Sequence, residues 1–547
     1  MSFYCSILLD FVFWGAKMKK HKRLLLIAVT GSVFVFIIFI FNQVLEVNEN
    51  LKSPTSTILL DNNGEEIVEQ NNTWIRSEDV PELITTYMKK EKDNLEQLLY
   101  PTQTIKRLLT SVIMITYSKD ETFEVYINKA YLDNGIVGFE NAANYYFDKR
   151  LKDTSVMEQI YLLYKSKNIE SQNIQVDLEN MITTLVNDNY IETDTYQSDI
   201  PELLKGLHHK NTFAQTYVDL ASDELRDIFG QEESEIFRKG YIITTNLNRD
   251  LQLHLYDSFM DQKTFPENEN TFVEGGMVVL ESETGEVAGL MGGREYQLST
   301  YNHSTDTTRQ PASTFKPLIA YGPAIELGWK PEDTLEDKPL SFNGYEPKNH
   351  DGTFHGEVSL HESLVMSYNV PTAWLLYKIG LENGLAYINK FDLFEIDPTD
   401  EYKLALGFTR VGTSPLAIAQ AYTSFANEGK MVHAQTIQRI ETQSGKVKYK
   451  TNVKKTKIFE KETADTMTSL LQDVVQEGTA DNAQISGQQI AGKTGTTSFD
   501  GWFVGYNEKY VGAVWMGPDE VVPENRMWFG SSPSSLFKRI FQDLGEK

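Results

Sequence analysis

Two segments of the chain place a serine three residues before a lysine. They are Ser313 and Lys316 in RQPASTFKP, and Ser535 and Lys538 in SSLFKR. On a helix, residues i and i+3 share one face, so the lysine amine can reach the serine hydroxyl. A serine becomes a nucleophile when a neighbouring base removes its proton, and lysine is such a base when burial or a nearby charge lowers its pKa. The pattern predicts either this chemistry or a helix cap beside a solvated lysine.

A proline distinguishes the first of these two segments. Pro317 follows Lys316 directly, and a missing backbone N–H costs least in the first turn, so a helix is predicted to begin near Ser313. The positive end of the helix dipole would then favour negative charge that develops beside Ser313. An isolated Ser-x-x-Lys is more often a cap with an exposed lysine, so both interpretations stay open on this pattern alone.

A second pattern, Ser-x-Asn, could supply a polar group beside such a nucleophile. It occurs at 166–168, 171–173, 341–343 and 367–369. Ser367 and Asn369 lie between apolar runs of helical spacing, and Pro371 interrupts the run just after them, which exposes side chains at a helix end. The other copies fall in a polar connector or in a loop. We therefore take Ser367 and Asn369 as the functional pair, with a helix-terminating cap as the alternative.

A third pattern, Lys-Thr-Gly, occurs at residues 493–495 within the strand-like segment QQIAGKTGTT. Lys493 offers positive charge, and Thr494 and Thr496 offer hydroxyls, a combination that suits a substrate carboxylate. Gly495 allows another backbone to approach the strand closely. Without the other patterns, this segment would be interpreted as a strand end with a solvated lysine.

The surrounding elements must bring these three patterns together. Strand-like segments begin near Tyr241, and GGMVVLESETGEVAGLMGG predicts two strands around a turn. Helical spacing follows at about 313–327, 358–380, 414–428 and 462–477, and three strand-like runs follow near the C-terminus. This order predicts an α+β fold in which one sheet is assembled from both ends and covered by helices. Residues 80–165 are patterned mostly as helices, and residues 166–240 as an acidic connector.

The three patterns, in this order, resemble the transpeptidase domain of the class A penicillin-binding proteins, which shares its motifs with serine β-lactamases. The resemblance covers about 241–520 and is carried by RQPASTFKP, PKNHDGTFHGEVSLHESLVMSYNVPTA and IAGKTGTTSFDGWFVGY. It implies an antiparallel sheet covered by helices. The second Ser-x-x-Lys, at Ser535, lies outside the family's pattern.

The resemblance implies catalytic roles for Ser313, Lys316, Ser367 and Asn369. Ser313 attacks the carbonyl between the terminal D-alanines of a peptidoglycan stem peptide, and Lys316 accepts its proton. Ser367 relays protons to the leaving D-alanine, and Asn369 orients Lys316 and the substrate amide. An amine from a neighbouring stem then resolves the acyl-enzyme, and β-lactams acylate the same serine.

The resemblance also implies the substrate-binding residues Lys493, Thr494, Gly495 and Thr496, which hold the terminal carboxylate. The backbone N–H groups of Ser313 and Thr496 would bind the oxyanion, each contributing about 3–4 kcal/mol. No metal or cofactor is implied. A D,D-carboxypeptidase, which uses water in place of the amine, and a non-catalytic wall-binding or sensing protein are the alternatives.

Part of the class A glycosyltransferase domain is also visible, because residues 117–163 resemble its later part. The departures are large: Lys92 aligns with the first catalytic glutamate, Glu91 is one residue out of register, and Lys106 and Arg107 lie where the second glutamate is expected. Proton transfer to a glycan needs a positioned carboxylate. We therefore expect that this chain has no glycosyltransferase activity. The remaining part of the domain would serve as a spacer or docking surface, and a separate partner glycosyltransferase would make the glycan.

The N-terminus predicts an uncleaved membrane anchor. Residues 24–41 are apolar and uncharged and follow a basic cluster, and a helix of that length is roughly 27 Å long, enough to cross a bilayer core. The basic residues place the N-terminus in the cytoplasm and the catalytic part outside the cell membrane. The segment MKKHKR, which begins at Met18, is a complete basic N-terminal region for a signal-anchor, so translation is predicted to begin at Met18. The only cysteine, Cys5, precedes it.

A chain of 547 residues is too long for one ordinary core, so two or three domains are expected. A net charge of −26 argues against non-specific binding to nucleic acid. The predicted domains are a cytoplasmic N-terminus (1–23), a transmembrane signal-anchor (24–41), a tether (42–56), a degenerate glycosyltransferase-like domain (57–165), a connector (166–240), a penicillin-binding transpeptidase domain (241–535) and a C-terminal tail (536–547).

Overall fold

The structure is a computed structural model. It describes residues 56–544 except 69–73, 92–107, 111, 113, 114, 116, 134, 168–172, 194, 208–211, 267–270, 295, 297–300 and 394–400. Before residue 56 it describes only 35, 38, 40–42 and 44. The predicted anchor at 24–41 therefore lies largely outside the described residues, and so do Met18 and Cys5. Within the described part of the chain, no helix has both the length and the apolar character needed to cross a membrane.

The strands are β1 (Ile58–Leu60), β2 (Tyr241–Thr245), β3 (Glu274–Glu281), β4 (Val287–Met291), β5 (Thr334–Asp337), β6 (Gly356–Ser359), β7 (Lys430–Val432), β8 (Ile437–Thr442), β9 (Val447–Lys450), β10 (Lys455–Lys457), β11 (Ala491–Thr496), β12 (Gly501–Tyr506) and β13 (Tyr510–Gly517).

The α-helices are α1 (Glu82–Glu91), α2 (Lys119–Lys129), α3 (Phe139–Phe147), α4 (Val156–Lys165), α5 (Ile174–Asn187), α6 (Ile200–Lys205), α7 (Gln215–Phe229), α8 (Glu233–Phe237), α9 (Arg249–Met260), α10 (Gly322–Glu326), α11 (Leu360–Val365), α12 (Val370–Ile379), α13 (Leu381–Phe391), α14 (Pro415–Ala426), α15 (Lys461–Gln476) and α16 (Ser532–Gln542).

The main sheet joins strands from both ends of the C-terminal half, in the order β11-β12-β13-β3-β4 within the described residues. All its neighbours are antiparallel. Helix α14 packs on β3, β12 and β13, while α16 packs on β12 and β13. The strands β12 and β13 are buried along their whole length, because both faces are covered, and this explains their nearly continuous apolar sequence. The predicted sheet assembled from both ends is confirmed.

The strand β2 belongs to a different sheet, contrary to the prediction of a single sheet. It pairs in parallel with β1, with Ile58 opposite Ile242, and antiparallel to β8, which pairs with β9. The short strand β1 thus ties the start of the helical half to the C-terminal half. A β-branched run indicates a strand but does not identify its partners, because pairing depends on contacts between segments far apart in sequence.

The N-terminal half is a helical unit, as its spacing predicted. Ser118 with Glu121, and Ser155 with Glu158, form capping boxes that start α2 and α4. The helices enclose a core of leucine, isoleucine and tyrosine side chains. Lys165 forms a largely buried ion pair of 2.6 Å with an aspartate of the α2–α3 connection.

Candidate active site

The segment that carries Ser313 is helical but irregular. Residues Ala312–Phe315 form a 3-10 turn, Pro317–Tyr321 form a π-helical turn, and α10 follows. The predicted helix start is confirmed, with this irregularity added. Ala312 has a φ of 48°, a left-handed conformation that costs a non-glycine residue of order 1 kcal/mol and is often found at functional sites. Such strain persists because the surroundings over-determine the backbone.

Two neighbouring residues hold this strained turn. The Tyr422 hydroxyl donates a 2.6 Å hydrogen bond to the Thr314 carbonyl oxygen. Gly407 approaches Ala312 so closely that a Cβ atom on Gly407 would overlap the Ala312 backbone. The position and orientation of Ser313 are therefore fixed by helix α14 and by the segment that contains Gly407.

The amine of Lys316 is fully buried and surrounded by oxygen atoms of one short segment. Its Nζ donates to the carbonyl oxygens of Ser367 (2.7 Å) and Tyr368 (3.0 Å) and to Asn369 Oδ1 (2.8 Å). Among the hydrogen bonds of the described residues, none joins Lys316 Nζ to Ser313 Oγ. The i, i+3 spacing therefore brings the two residues into one helical segment, while the orientation of the amine is set by residues 367–369.

A second buried amine, that of Lys493, meets the first at one hydroxyl. Lys493 Nζ lies 2.9 Å from Ser367 Oγ, and Lys316 Nζ lies 3.4 Å from the same oxygen. Burial lowers the pKa of Lys493 to about 7. Burial and the neighbouring charge of Lys493 hold the pKa of Lys316 well below its ordinary value. Burial and mutual repulsion therefore disfavour the state in which both lysines are charged, and the Ser367 hydroxyl lies between the two amines.

The residues Ser367 and Asn369 lie in the turn between α11 and α12. Ser367 has a φ of 57°, which turns the chain sharply and directs two successive carbonyls to Lys316. Asn369 precedes α12, and Pro371 occupies the first turn of that helix, so the predicted break at Pro371 is confirmed. Asn369 Nδ2 donates to the Lys348 carbonyl oxygen at 2.8 Å.

The Lys-Thr-Gly segment forms the edge strand β11, which runs beside the Ser313 segment. Gly495 is close enough that a Cβ atom would lie 2.8 Å from the Pro311 carbonyl oxygen. This close approach is the reason that a glycine is needed there. Thr494 shares a 2.9 Å hydrogen bond with the Thr479 hydroxyl, a contact that no sequence pattern indicated.

A cavity of about 780 Å³ brings most of the predicted residues together. Its lining includes Ser313, Ser367, Asn369, Thr494 and Thr496. The amines of Lys316 and Lys493 lie beneath this lining, fully buried. Lys493 therefore reaches the cavity through Ser367, and the threonine hydroxyls are the groups that a ligand carboxylate would meet first.

Several lining residues were missed from the sequence. Phe408 and Trp528, exposed by 37% and 76%, line the cavity together with Thr479 and Arg526. They come from loops or element ends with no regular spacing, so no periodicity indicated them. Their apolar surface and the arginine suit a ligand that is partly apolar and anionic.

Beside β11, a buried ion pair supports the turn that follows Thr496. Arg309 Nε donates to Asp500 Oδ1 at 2.7 Å, and both side chains are mostly buried. Thr497 Oγ1 and Trp515 Nε1 also donate to the Asp500 carboxylate. This cluster fixes the β11–β12 turn at the edge of the cavity.

The other copies of the patterns lie elsewhere. Ser535 is exposed on α16, and neither it nor Lys538 lines the cavity. Asn173 accepts from the Val176 N–H and so caps α5, and Asn343 donates to Glu401 in a loop. Three-dimensional position therefore separates Ser313 from Ser535, which spacing alone could not do.

Comparison with known proteins gives matches to two families. A family model described as "Penicillin binding protein transpeptidase domain" matches residues 275–542, and one described as "Transglycosylase" matches residues 96–188. The chain is 35% identical over 453 residues to penicillin-binding protein 1F of Bacillus subtilis, covering 79% of this chain and 62% of that protein. It is 31% identical to penicillin-binding protein 2a of Streptococcus pneumoniae, covering 78% and 62%. The chain thus spans somewhat under two thirds of these relatives.

Solved structures show the same fold. Penicillin-binding protein 1A from Haemophilus influenzae has a TM-score of 0.57 at 19% identity, covering 90% of this chain and 92% of that one. The PonA1 protein from Mycobacterium tuberculosis, in complex with penicillin V, has a TM-score of 0.53 at 21% identity, covering 60% and 91%. At these identities the similarity concerns the fold alone.

Proposed function

The chain belongs to the class A penicillin-binding proteins, and from this premise we propose that it is a membrane-anchored serine D,D-transpeptidase that cross-links peptidoglycan stem peptides. One observation carries the proposal: the Ser367 hydroxyl lies between two fully buried lysine amines at the base of a cavity that contains Ser313. Such an arrangement can take a proton from a nucleophile and deliver it to a leaving group.

In the proposed acylation step, Ser313 Oγ bonds to the carbonyl carbon between the terminal D-alanines. Its proton passes to neutral Lys316, and the oxyanion is stabilised by the N–H groups of Ser313 and Thr496. The carbon–nitrogen bond then breaks, and the proton passes through Ser367 to the departing D-alanine amine. Charged Lys493 balances the terminal carboxylate, which meets the hydroxyls of Thr494 and Thr496.

In the proposed deacylation step, an amine of a second stem attacks the Ser313 ester. Lys316 takes a proton from the attacking amine as the new amide bond forms, the ester bond breaks, and that proton passes from Lys316 to Ser313. Water in place of the amine would give a D,D-carboxypeptidase. Product analysis with a model stem peptide separates the two, because only transpeptidation yields a cross-linked dimer when an acceptor amine is supplied.

The proposed function excludes glycan polymerisation by this chain. This exclusion rests on the sequence, because Lys92 stands at the position of the first catalytic glutamate, and Lys106 and Arg107 stand where the second is expected. All three residues lie outside the described part of the chain. The remnant would serve as a spacer or docking surface, and a separate glycosyltransferase would supply the glycan. Polymerisation of lipid II by the purified full chain would refute this part.

The proposed anchor at 24–41 and the domain boundaries belong to the same proposal, with one change: α16 packs on the main sheet, so the transpeptidase domain is proposed to extend through Gln542 and not to end at 535. The basic cluster before the apolar segment supports a cytoplasmic N-terminus and an extracytoplasmic catalytic part. Fractionation of cells, followed by protease treatment of intact spheroplasts, tests this orientation. Protection of the C-terminal half from added protease would refute it.

The decisive experiment for the activity is labelling of the full chain with a fluorescent penicillin. We expect labelling of the wild type and of Ser535→Ala, and none of Ser313→Ala. Because Ser535 is exposed on α16, Ser535→Ala is a matched control with the same sequence spacing. Labelling that is lost only in Ser535→Ala, or that is absent from the wild type, would refute the assignment.

A further inference from the structure

Helix α12 begins without the side-chain cap that the residue before it would ordinarily provide. Asn369 is at the N-cap position but makes no capping hydrogen bond, because its side chain bonds Lys316 Nζ and the Lys348 carbonyl oxygen. The first N–H groups of a helix lack partners within the helix and need acceptors from elsewhere. Because Asn369 is used at the active site, backbone N–H groups at the start of α12 need an acceptor from elsewhere in the chain.

The side chain of Asn349, from the loop before β6, supplies the acceptor for two N–H groups at the start of α12. Its Oδ1 accepts the backbone N–H groups of Asn369 at 2.9 Å and of Val370 at 3.0 Å. Asn349 is 5% exposed. It therefore binds, through backbone atoms, the same segment whose oxygens surround Lys316.

A buried carboxylate fixes the orientation of Asn349 in turn. Asn349 Nδ2 donates to both oxygens of Asp337, each at 2.8 Å, and to the Thr353 carbonyl oxygen at 2.9 Å. Rotation of the amide by 180° would set its NH₂ group against two backbone N–H groups and its oxygen against a carboxylate. Asp337, which is fully buried, therefore determines which atom Asn349 presents to α12.

The Asp337 carboxylate also supports Tyr368, a neighbour of Lys316, through His355. Asp337 Oδ2 accepts the backbone N–H of His355 at 3.0 Å and lies 2.7 Å from His355 Nδ1. The His355 ring stacks on Tyr368 with centroids 4.2 Å apart. Tyr368 supplies one of the carbonyl oxygens that bind Lys316, so Asp337 supports residues 368 and 369 from two sides.

We propose that Asn349, held in orientation by Asp337, is a positioning residue for the base Lys316. It fixes the backbone of residues 369 and 370, and this backbone fixes the oxygens that aim the Lys316 amine. The inference rests on the proposed acylation of Ser313, and it adds a residue outside the three motifs to that chemistry. Without Asn349, the backbone N–H groups of Asn369 and Val370 lose this shared acceptor. The turn at 367–369 keeps its hydrogen bonds to Lys316, Lys348 and Lys493 and the backbone bonds of Ser367 and Tyr368 to α11.

The expected effect is on rate and pH dependence more than on folding. A misplacement of a reacting group by about 1 Å can lower a rate 100-fold, so Asn349→Ala should be acylated roughly 10- to 100-fold more slowly. A looser turn also admits water to Lys316, which faces the charge of Lys493, and water stabilises the charged amine. The acidic limb of the acylation rate should therefore move to higher pH.

The test measures the acylation rate of the full chain by a fluorescent penicillin over a pH series, together with melting temperature. Asn383→Ala is the matched control, because Asn383 Nδ2 bonds the Ile379 carbonyl oxygen at the other end of α12. We expect both variants to melt earlier, and only Asn349→Ala to be slow with a displaced acidic limb. A slow rate that merely follows the loss of folded protein, with an unmoved limb, would overturn the inference.

A pair of exchanged residues provides a second, independent test. Asn349→Asp alone places two carboxylates against each other, so it should be slow. Combined with Asp337→Asn, it restores one donor amide facing one acceptor carboxylate, while the Thr353 carbonyl oxygen still lacks its donor. The double variant should therefore recover part of the rate. Failure of the double variant to exceed Asn349→Asp, when both are folded, would overturn the inference. A wild type that is not labelled would instead refute the proposed function, and this inference with it.

Discussion

A methyl group at Gly495 tests whether the spacing between β11 and the Ser313 segment governs acylation. The Cβ atom of Gly495→Ala would lie 2.8 Å from the Pro311 carbonyl oxygen, 3.0 Å from Thr314 Cγ2 and 3.2 Å from the Thr314 backbone nitrogen. Two of these three atoms belong to the backbone and cannot rotate away. The strand and the Ser313 segment must therefore separate by several tenths of an ångström.

Two magnitudes follow from this geometry. Overpacking of a well-packed region costs about 1–3 kcal/mol of unfolding free energy. The separation also moves the Thr496 N–H, the proposed oxyanion donor, away from Ser313, and loss of one such donor costs about 3–4 kcal/mol of transition-state stabilisation. A partial displacement of the Thr496 N–H should lose part of this transition-state stabilisation, so we expect acylation to slow by roughly 10- to 100-fold.

The assay pairs fluorescent-penicillin acylation rates with urea denaturation. Gly492→Ala is the matched control on the same strand, because its Cβ atom would meet the Phe503 ring at 2.6 Å and the Val504 carbonyl oxygen at 3.0 Å. Both variants should lose stability, but only Gly495→Ala should lose acylation rate. An acylation rate for Gly495→Ala equal to the wild type, or an equal loss in Gly492→Ala, would refute the reasoning.

Three further predictions concern charged groups. Because burial lowers the pKa of Lys493 to about 7, labelling by an anionic β-lactam should decline as pH rises through that value. Lys493→Arg should move the decline to higher pH. An unchanged dependence of labelling on pH in that variant would contradict the role of Lys493 in binding the carboxylate. Asp500→Ala leaves the Arg309 guanidinium buried without its carboxylate and should lower the unfolding free energy in urea by about 3–5 kcal/mol; a loss below 1 kcal/mol would be inconsistent with a buried pair. For His303, burial lowers the pKa, but hydrogen bonds to Asp519 and the Gly292 carbonyl outweigh it and raise the pKa above 6.5. The contribution of charged His303 to folding stability is therefore complete below pH 6.5 and is lost as pH rises through the raised pKa. The melting temperature of Asp519→Asn should therefore depend less on pH over that range than the melting temperature of the wild type. Equal slopes of melting temperature against pH in the two proteins would contradict this.

The local patterns of the sequence were sufficient to predict most elements. The strands of the main sheet and the helices α14 and α15 lie within a few residues of their predicted positions, because apolar spacing reflects burial directly. Chemical type and spacing also singled out Ser313, Lys316, Ser367, Asn369 and the Lys-Thr-Gly segment. Those inferences need only neighbours in sequence, whose geometry is set by the helix or strand they occupy.

Tertiary structure alone decided which of these residues meet and what surrounds them. It places Ser313, and not Ser535, in the lining of the cavity, where spacing alone had left the two copies equivalent. It also pairs β2 with β1, which the sequence did not predict. It also joins Lys316 and Lys493 through Ser367, and Asn349 to the start of α12. The physical reason is that pKa values, buried hydrogen bonds and strand pairing depend on atoms brought together from distant parts of the chain, and sequence spacing carries no record of such contacts.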